Sequence, residues 1–206
     1  MLHNDHLIET SGLYGKSFVQ RYHPLTNQLL VQRKLPRHLF AEGAAIVDDR
    51  LYVLSWKQGV ALRLDPHSLI TQDRLFYKGE GWGLTQFHSQ LVMSDGSHQL
   101  SFRSPEDFSL LKQVAVTRHN QALSHLNDLT FDGQYIWANV WYDSSIYGID
   151  PLSGKVVAEM DLSALSQRHR SRDRENVLNG IAWDEGRQGF WVTGKRWKAR
   201  YLIVIE

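Results

Sequence analysis

Five short motifs contain polar side chains that could move protons or hold a polar ligand, and in four of them the side chain is next to a glycine. Glu42 lies in FAEG and Glu80 in GEGWGLT, while Asn127, Asn179 and Lys195 lie in LNDL, LNGI and TGKRW. A carboxyl group buried beside aromatic rings can acquire a pKa suited to acid–base catalysis, whereas a solvated turn glutamate cannot. Amide side chains both donate and accept hydrogen bonds, and lysine supplies a positive charge, although most lysines are surface residues.

The stretch GEGWGLT at 79–85 allows two interpretations, a phosphate-binding turn or the entry of a strand crowded by large side chains. A dinucleotide-binding fingerprint has the spacing G-x-G-x-x-G and leads from a strand into a helix. The glycines of this chain follow G-x-G-x-G, and the residues after them have a strand pattern. The sequence therefore favours a strand entry over a nucleotide site.

A loose repeat of strand patterns indicates how such distant motifs are positioned. Apolar runs begin near residues 7, 51, 91, 135 and 190, at intervals of about 40 to 55 residues, which is the range of propeller and solenoid repeats. Four approach strands precede these runs, at 42–47, 81–87, 126–132 and 178–184. A unit of four strands is a propeller blade. We therefore predict an all-β, five-bladed β-propeller whose innermost strands line a shared pocket.

Helical periodicity is confined to 162–174, inside an insertion around 161–177 of a single predicted domain covering 1–206. Asp161 or Ser163 could cap this helix. The insertion contains RHRSRDR at 168–174, which is typical of a solvated loop and could alternatively form a basic docking surface.

The composition excludes several classes of function. The net charge of +1 gives no reason to expect nucleic acid or a membrane surface as a partner. The chain has no cysteine, so thiolate metal sites and disulfides are excluded, and the scattered histidines predict no metal site. No apolar run reaches the ~18 residues of a membrane span, and no signal peptide is visible. The compartment therefore stays unknown from composition alone.

Taken together, the motifs resemble the plant and bacterial type of glutaminyl cyclase (glutaminyl-peptide cyclotransferase), a family of five-bladed β-propellers. Ten matching stretches occur in order over nearly the whole chain: ETSGLYGKS (9–17), FAEG (40–43), LSWKQGVA (54–61), GEGWGLT (79–85), LVMSDGS (91–97), LNDLTF (126–131), WANVW (137–141), IDPLSGKV (149–156), VLNGIAWD (177–184) and WVTGKRW (191–197). The resemblance implies cyclisation of the N-terminal glutamine of a peptide to pyroglutamate, with loss of ammonia and without a metal or other cofactor.

By this resemblance, Glu42 is the catalytic proton shuttle, and Asn127 holds the amide or amine of the substrate. Lys195 binds a peptide carbonyl or stabilises the oxyanion. Strand alternation predicts that Lys57 points away from the ring of Trp56, so we rank it below Lys195.

Substrate-binding residues also follow from the resemblance. Trp56, Trp82 and Trp141 are expected to form the pocket walls, to stack on the glutamine side chain and to donate their indole N–H groups to its carbonyl. Glu80 is expected to bind the α-amine, and Asn179 to act as Asn127 does. The alternative is that each tryptophan packs in the core, that each asparagine bonds to its own backbone in a turn, and that each charged residue is solvated at the surface.

Two departures from the family pattern carry expectations of their own. Family members usually have a segment ahead of the ETSGLYG-like stretch, and they often have Glu where this chain has Asp128. We therefore expect blade one to lack its innermost strand and blade five its closing strand. The exposed edges lead us to hypothesise a homodimer. They also support an alternative function, an inactive cyclase-like binding or scaffold module. By resemblance the protein is periplasmic or secreted.

Overall fold

A computed structural model describes residues 1–205, and these residues form antiparallel sheets with one short helix. Five sheets follow one another along the chain, and we call them blades one to five. Each sheet is built from strands that are adjacent in sequence. This order confirms the five repeats predicted from the sequence.

The strands of the first three blades have the following bounds. Blade one contains β1 (Leu2–His3), β2 (His6–Ser11), β3 (Phe18–Tyr22) and β4 (Leu29–Lys34). Blade two contains β5 (Ala41–Val47), β6 (Arg50–Ser55), β7 (Val60–Leu64) and β8 (Thr71–Phe76). Blade three contains β9 (Leu84–Phe87), β10 (Gln90–Met93), β11 (Gln99–Arg103) and β12 (Leu110–Ala115).

A small hairpin and the last two blades complete the described chain. The hairpin pairs β13 (Thr117–Arg118) with β14 (Gln121–Ala122). Blade four contains β15 (Leu126–Phe131), β16 (Ile136–Val140), β17 (Ser145–Ile149) and β18 (Val156–Asp161). The helix α1 (Ser163–Arg168) follows, and blade five contains β19 (Leu178–Asp184), β20 (Gly189–Gly194) and β21 (Tyr201–Val204).

The first and last blades are both reduced. Blade five has three strands, as predicted. In blade one the first position is occupied by the two-residue strand β1, whereas the sequence led us to expect no strand there. The turn from β1 to β2 consists of Asn4 and Asp5, both with positive φ, which suits a two-residue hairpin. The predicted dimer through open strand edges stays a prediction.

The chain forms two compact units. Unit one comprises Met1–Asp95 and Ser101–Gln113, and unit two comprises Gly96–Leu100 and the described residues from Val114 onward. Whether 1–206 is one domain therefore stays a prediction.

Blades within unit one pack face to face, and strand alternation explains how. Leu51 and Val53 of β6 lie in a buried cluster with residues of blade one. Tyr52 and Leu54 of the same strand lie in a second buried cluster with residues of blade three. Successive side chains of a strand point to opposite faces, so one apolar strand supplies two cores. In unit two, Ile146 packs likewise in a cluster shared by blades four and five.

The insertion between blades four and five forms a shorter helix than predicted. It ends at Arg168, and the Ser163 N–H donates a hydrogen bond of 2.7 Å to the Asp161 carboxylate just before it. The next residue, His169, stacks on Trp197 at 4.2 Å and hydrogen-bonds the Tyr201 hydroxyl at 2.7 Å. The start of the basic run is therefore attached to blade five. Within residues 1–205, no helix has the length and apolar character needed to cross a membrane.

Candidate functional site

The first strands of three blades carry the same irregularity. The pairing register shifts between Ala41 and Ala44 in β5, and the same shift recurs in β15 between Leu126 and Leu129. In β19 it falls between Leu178 and Ile181. Such a bulge leaves residues out of the regular ladder and redirects their side chains. The residues inside the three bulges are Glu42–Gly43, Asn127–Asp128 and Asn179–Gly180, so three predicted site residues occupy equivalent positions.

In unit one, the backbone around Glu42 is held from two sides. The Thr10 hydroxyl donates a hydrogen bond of 2.6 Å to the Glu42 carbonyl. On the next residue, the Gly43 N–H donates to the Trp82 carbonyl at 2.7 Å. A Cβ atom at Gly43 would lie 2.4 Å from the backbone nitrogen of Leu84, so only glycine permits this approach. The half-buried Glu42 and Trp82 are thus positioned by one tight backbone contact.

A buried tyrosine faces the same region without contributing a titrating group. The Tyr77 hydroxyl donates a hydrogen bond to the Ser55 carbonyl. Burial, together with the smaller effect of the nearby Glu42 charge, raises the pKa of Tyr77 to about 12. Tyr77 therefore stays protonated at neutral pH.

Two tryptophans of unit one are joined through Glu80. Its Oε2 accepts hydrogen bonds from the indole N–H of Trp56 at 2.7 Å and of Trp82 at 2.9 Å. These N–H groups are directed at Glu80, whereas the sequence led us to expect that they donate to the substrate carbonyl. The Lys57 ammonium lies 4.0 Å from the centroid of the Trp56 ring and 3.7 Å from Glu80 Oε1.

The position of Lys57 contradicts the prediction that it points away from Trp56. Strand alternation applies only as far as Ser55, where β6 ends. Trp56 and Lys57 lie in the turn that follows, so they are free to face the same side. The pKa of Glu80 responds to all three neighbours. Burial raises this pKa, but the hydrogen bonds from Trp82 and Trp56 and the charge of Lys57 outweigh burial and leave it below its usual value.

In unit two, the bulges of β15 and β19 are bonded to each other. Asn127 is only 2% exposed. The carboxylate of its neighbour Asp128 accepts hydrogen bonds from the backbone N–H groups of Ile181 at 2.9 Å and Leu129 at 3.0 Å. The dense protein surroundings raise the pKa of Asp128, and these hydrogen bonds oppose that effect. Asp128 thus has a structural role in joining the two strands.

Asn139 is a buried polar residue that sequence reasoning missed. It is 1% exposed in β16, and its Oδ1 accepts a hydrogen bond of 3.1 Å from the Gly180 N–H. Among residues 1–205, neither its Nδ2 nor the Oδ1 of Asn179 has a hydrogen-bond partner. The signal in the sequence was a single amide in the otherwise apolar strand WANVW. Asn139 and Asn179 therefore retain polar capacity for a ligand.

Lys195 lies against a tryptophan of unit two. Its Nζ is 3.6 Å from the centroid of the Trp141 ring, a cation–π distance. The backbone N–H of Lys195 donates to the Val177 carbonyl at 2.8 Å. The backbone N–H of Trp141 donates to the His125 carbonyl at 2.9 Å. Both residues are half-buried, so the cation is fixed at a surface that water can reach.

The remaining tryptophans belong mainly to the core, as the alternative of core packing describes. Trp137 and Trp191 are buried, and each indole N–H donates to an aspartate. The acceptor of Trp137 is Asp132, just after β15, at 2.6 Å, and that of Trp191 is Asp184, the last residue of β19, at 2.9 Å. Trp183 and Trp197, the last two, pack against the cluster of unit two. Within the described 1–205, no group of three or more histidine, aspartate or glutamate side chains is arranged to hold a metal ion.

The five successive antiparallel sheets, three of which have polar residues in a bulge of the first strand, define a five-bladed β-propeller. The chain belongs to the glutamine cyclotransferase family, whose family model matches residues 1–205. It is 32% identical to the glutaminyl-peptide cyclotransferase of Arabidopsis thaliana over 209 residues, which are 98% of this chain and 64% of that relative. The chain thus spans less than two thirds of the curated relative's length.

Solved structures show the same fold. The crystal structure of Myxococcus xanthus glutaminyl cyclase matches with a TM-score of 0.89 and 32% identity, over 97% of this chain and 86% of that one. The beta-propeller domain of a Myceliophteria thermophila protein matches with a TM-score of 0.54 and 9% identity, over 92% of this chain and 59% of that one. The second likeness concerns the fold alone.

Proposed function

We propose that this protein converts the N-terminal glutamine of peptides to pyroglutamate and releases ammonia. The observation that carries the proposal is the repeated bulge, which puts a carboxyl group and two amides at equivalent positions of three blades. The names of the Arabidopsis and Myxococcus relatives support this activity rather than the inactive alternative.

The reaction needs one proton shuttle and one stabilised oxyanion. The α-ammonium loses a proton, and the resulting amine attacks the γ-carboxamide carbon of the same residue. A tetrahedral intermediate with a negative oxygen forms, and its carbon–nitrogen bond to the amide nitrogen breaks. That nitrogen leaves as ammonia after it gains the shuttled proton, and the attacking nitrogen gives up its second proton to water. The products are therefore the five-membered lactam, ammonia and one proton. A single carboxyl group can accept the first proton and return it to the leaving nitrogen.

Glu42 is the proposed shuttle. It is half-buried, its backbone is held by Thr10 and by the contact of Gly43 with the Trp82 segment, and its neighbour Tyr77 stays protonated. A well-held backbone at Glu42 restricts where its carboxyl group can lie, and a suitable distance to the atoms between which a proton moves is the first requirement of general acid–base catalysis.

Two amides and one lysine have the remaining proposed roles. Asn127 is proposed to hold the amide or amine of the substrate, and Asn179, whose Oδ1 has no partner within residues 1–205, to accept a substrate N–H. Lys195, fixed on Trp141, is proposed to bind a carbonyl oxygen as its negative charge develops. The faces of the tryptophans limit the conformers of the flexible glutamine side chain, and such orientation supplies much of the rate.

Ammonia release from a dipeptide that begins with glutamine tests the proposal. We expect turnover by the wild type and a loss of about 100-fold or more in Glu42→Gln, the range expected when a general acid–base group is removed. The matched control is Glu159→Gln, which neutralises a carboxylate on the outer strand β18, where it pairs with Arg118 at 2.6 Å. A peptide that begins with N-acetylglutamine is the substrate control, because it lacks the ammonium. Turnover that survives Glu42→Gln would exclude Glu42 as the shuttle, and a folded but inactive wild type would contradict the function.

A further inference from the structure

Glu80, which the sequence led us to expect at the α-amine of the substrate, accepts hydrogen bonds from two tryptophans. We propose that Glu80 is a positioning residue, whose carboxylate fixes the orientation of Trp56 and Trp82 and does not itself bind the ammonium of the substrate. This inference rests on the proposed function for its kinetic consequences, but the clamp itself is a structural feature that can be tested separately.

The hydrogen bonds show that one oxygen atom serves both rings. Glu80 Oε2 accepts from the indole nitrogens of Trp56 at 2.7 Å and Trp82 at 2.9 Å. A carboxylate oxygen offers two lone-pair positions, so Oε2 is used by these two donors. The second oxygen, Oε1, faces the Lys57 ammonium at 3.7 Å. Bonds to an ionised acceptor are stronger than neutral ones, so two indole rings share one strong anchor.

The backbone links the same two tryptophans. The backbone N–H of Gly81 donates to the Trp56 carbonyl at 2.9 Å, and the backbone N–H of Trp82 donates to the Ser94 carbonyl at 3.0 Å. Gly79, just before Glu80, has a φ of 89°, a left-handed conformation that glycine adopts without strain. The GEGWG segment therefore turns Glu80 back toward the two rings while its own backbone stays tied to Trp56.

The arrangement determines what the rings can offer to a ligand. With both N–H groups directed at Glu80, Trp56 and Trp82 present their faces and carbon edges. The Lys57 ammonium lies over the Trp56 ring at 4.0 Å from its centroid, so one face of that ring already has a cation. Recognition by these rings is therefore stacking and cation–π contact with a flat amide or an ammonium, not hydrogen bonding by the indoles.

Two substitutions of Glu80 separate positioning from direct binding. Glu80→Gln keeps a carbonyl oxygen that can accept from both indoles, so we expect kcat/KM to fall by no more than about fivefold, the loss expected when a charge-assisted bond becomes neutral. Glu80→Ala removes the anchor, and we expect a fall of roughly 10- to 100-fold, as for a small misplacement of a positioning group. If Glu80 bound the ammonium by its charge, the two neutral variants would lose equally, and that result would overturn the proposal.

The pH profile of kcat/KM provides a second readout. A group that only orients tryptophans takes no part in proton transfer, so Glu80→Ala should lower the whole profile without changing its shape. Loss of one limb in Glu80→Ala would show that Glu80 titrates in the reaction, which would contradict the positioning role.

Indole N–H signals test the clamp without any activity. With all seven tryptophans labelled with nitrogen-15, two indole signals, assigned through Trp56→Phe and Trp82→Phe, should move in Glu80→Ala. The control Asp132→Asn weakens the bond to the Trp137 indole, so it should move that signal and leave kcat/KM near the wild-type value. If both assigned signals stay in place in Glu80→Ala, the clamp is wrong. If they move while the wild type shows no cyclase activity, the proposed function fails and the clamp stands.

Discussion

The close approach at Gly43 gives the sharpest prediction. Because Gly43 has no side chain, the backbone of β5 packs directly against the backbone that follows Trp82. In Gly43→Ala the new Cβ would lie 2.4 Å from the Leu84 nitrogen and 2.6 Å from the Gly83 carbonyl carbon. Both neighbours are backbone atoms, which cannot rotate away as a side chain does. The contact with the Trp82 carbonyl, now 2.7 Å, must therefore lengthen.

The size of the effect follows from that overlap. Real Cβ contacts are essentially never under 3.0 Å, so β5 and the Trp82 segment must separate by about 0.6 Å or more. Overpacking of this kind costs about 1 to 3 kcal/mol of stability. A misplacement approaching 1 Å can reduce the rate about 100-fold, and Glu42 lies directly beside the substituted residue, so we expect kcat/KM to fall roughly 10- to 100-fold.

Ammonia release and thermal unfolding, measured on the same preparations, check the prediction. The matched control is Gly133→Ala, in the turn between β15 and β16. Gly133 has a φ of 97° and no atom within 4 Å of an added Cβ, so the substitution strains the backbone without moving a neighbour. We expect both variants to lose about 1 to 3 kcal/mol and only Gly43→Ala to lose activity.

One result would refute the reasoning. If Gly43→Ala unfolds at a lower temperature, as the control does, but keeps the wild-type kcat/KM, the orientation of Glu42 and Trp82 does not depend on this contact. The bulge in β5 would then have a purely structural role.

Three further predictions concern charge. Lys195→Met should lower kcat/KM at least about 10-fold. Lys195→Arg should lose less activity than Lys195→Met because a guanidinium also binds the Trp141 face, and ammonia release measures both variants. Burial raises the pKa of Asp184, but its hydrogen bonds, one of them from Trp191, outweigh burial and leave this pKa below 3.8. The ionised Asp184 therefore stabilises the folded protein above pH 3.8, and this contribution is lost as the pH falls below that value. Urea unfolding should show Asp184→Asn less stable by about 1.5 to 3 kcal/mol at neutral pH, with a smaller difference in acid. Burial lowers the pKa of His3 below 6.5, so folding binds fewer protons, and stability should fall as the pH drops through 6.5, less steeply in His3→Gln.

Much of the fold could be predicted because its signals are local. The pattern at 42–47 predicted β5, which spans Ala41–Val47, and 126–132 predicted β15, which spans Leu126–Phe131. A strand is recognised from alternating apolar residues within a few consecutive positions, bounded by turn residues. The spacing between such runs then indicates the repeat. The two-residue turns depend on residues that tolerate positive φ, such as Asp48 and Asp49 between β5 and β6.

The detail around the candidate site was less predictable because it depends on register and on contacts between distant residues. Alternation failed for Lys57 because β6 ends at Ser55, two residues before it. The bond from Trp56 to Glu80 joins residues 24 positions apart, so no local pattern contains it. Asn139 was missed for the same reason, since its partner Gly180 lies 41 residues further along the chain.

The sequence by itself determined the class of fold, the family and the residue types available for chemistry, because period-two strands, turn residues and ordered motifs are properties of the chain. Only the tertiary structure decided how those residues are used. The bulges are differences in pairing between strands, and the position of a carboxylate relative to two indoles is set by backbone contacts over long separations. Glu80 is thereby an acceptor for tryptophans, although the family resemblance had led us to expect a contact with substrate.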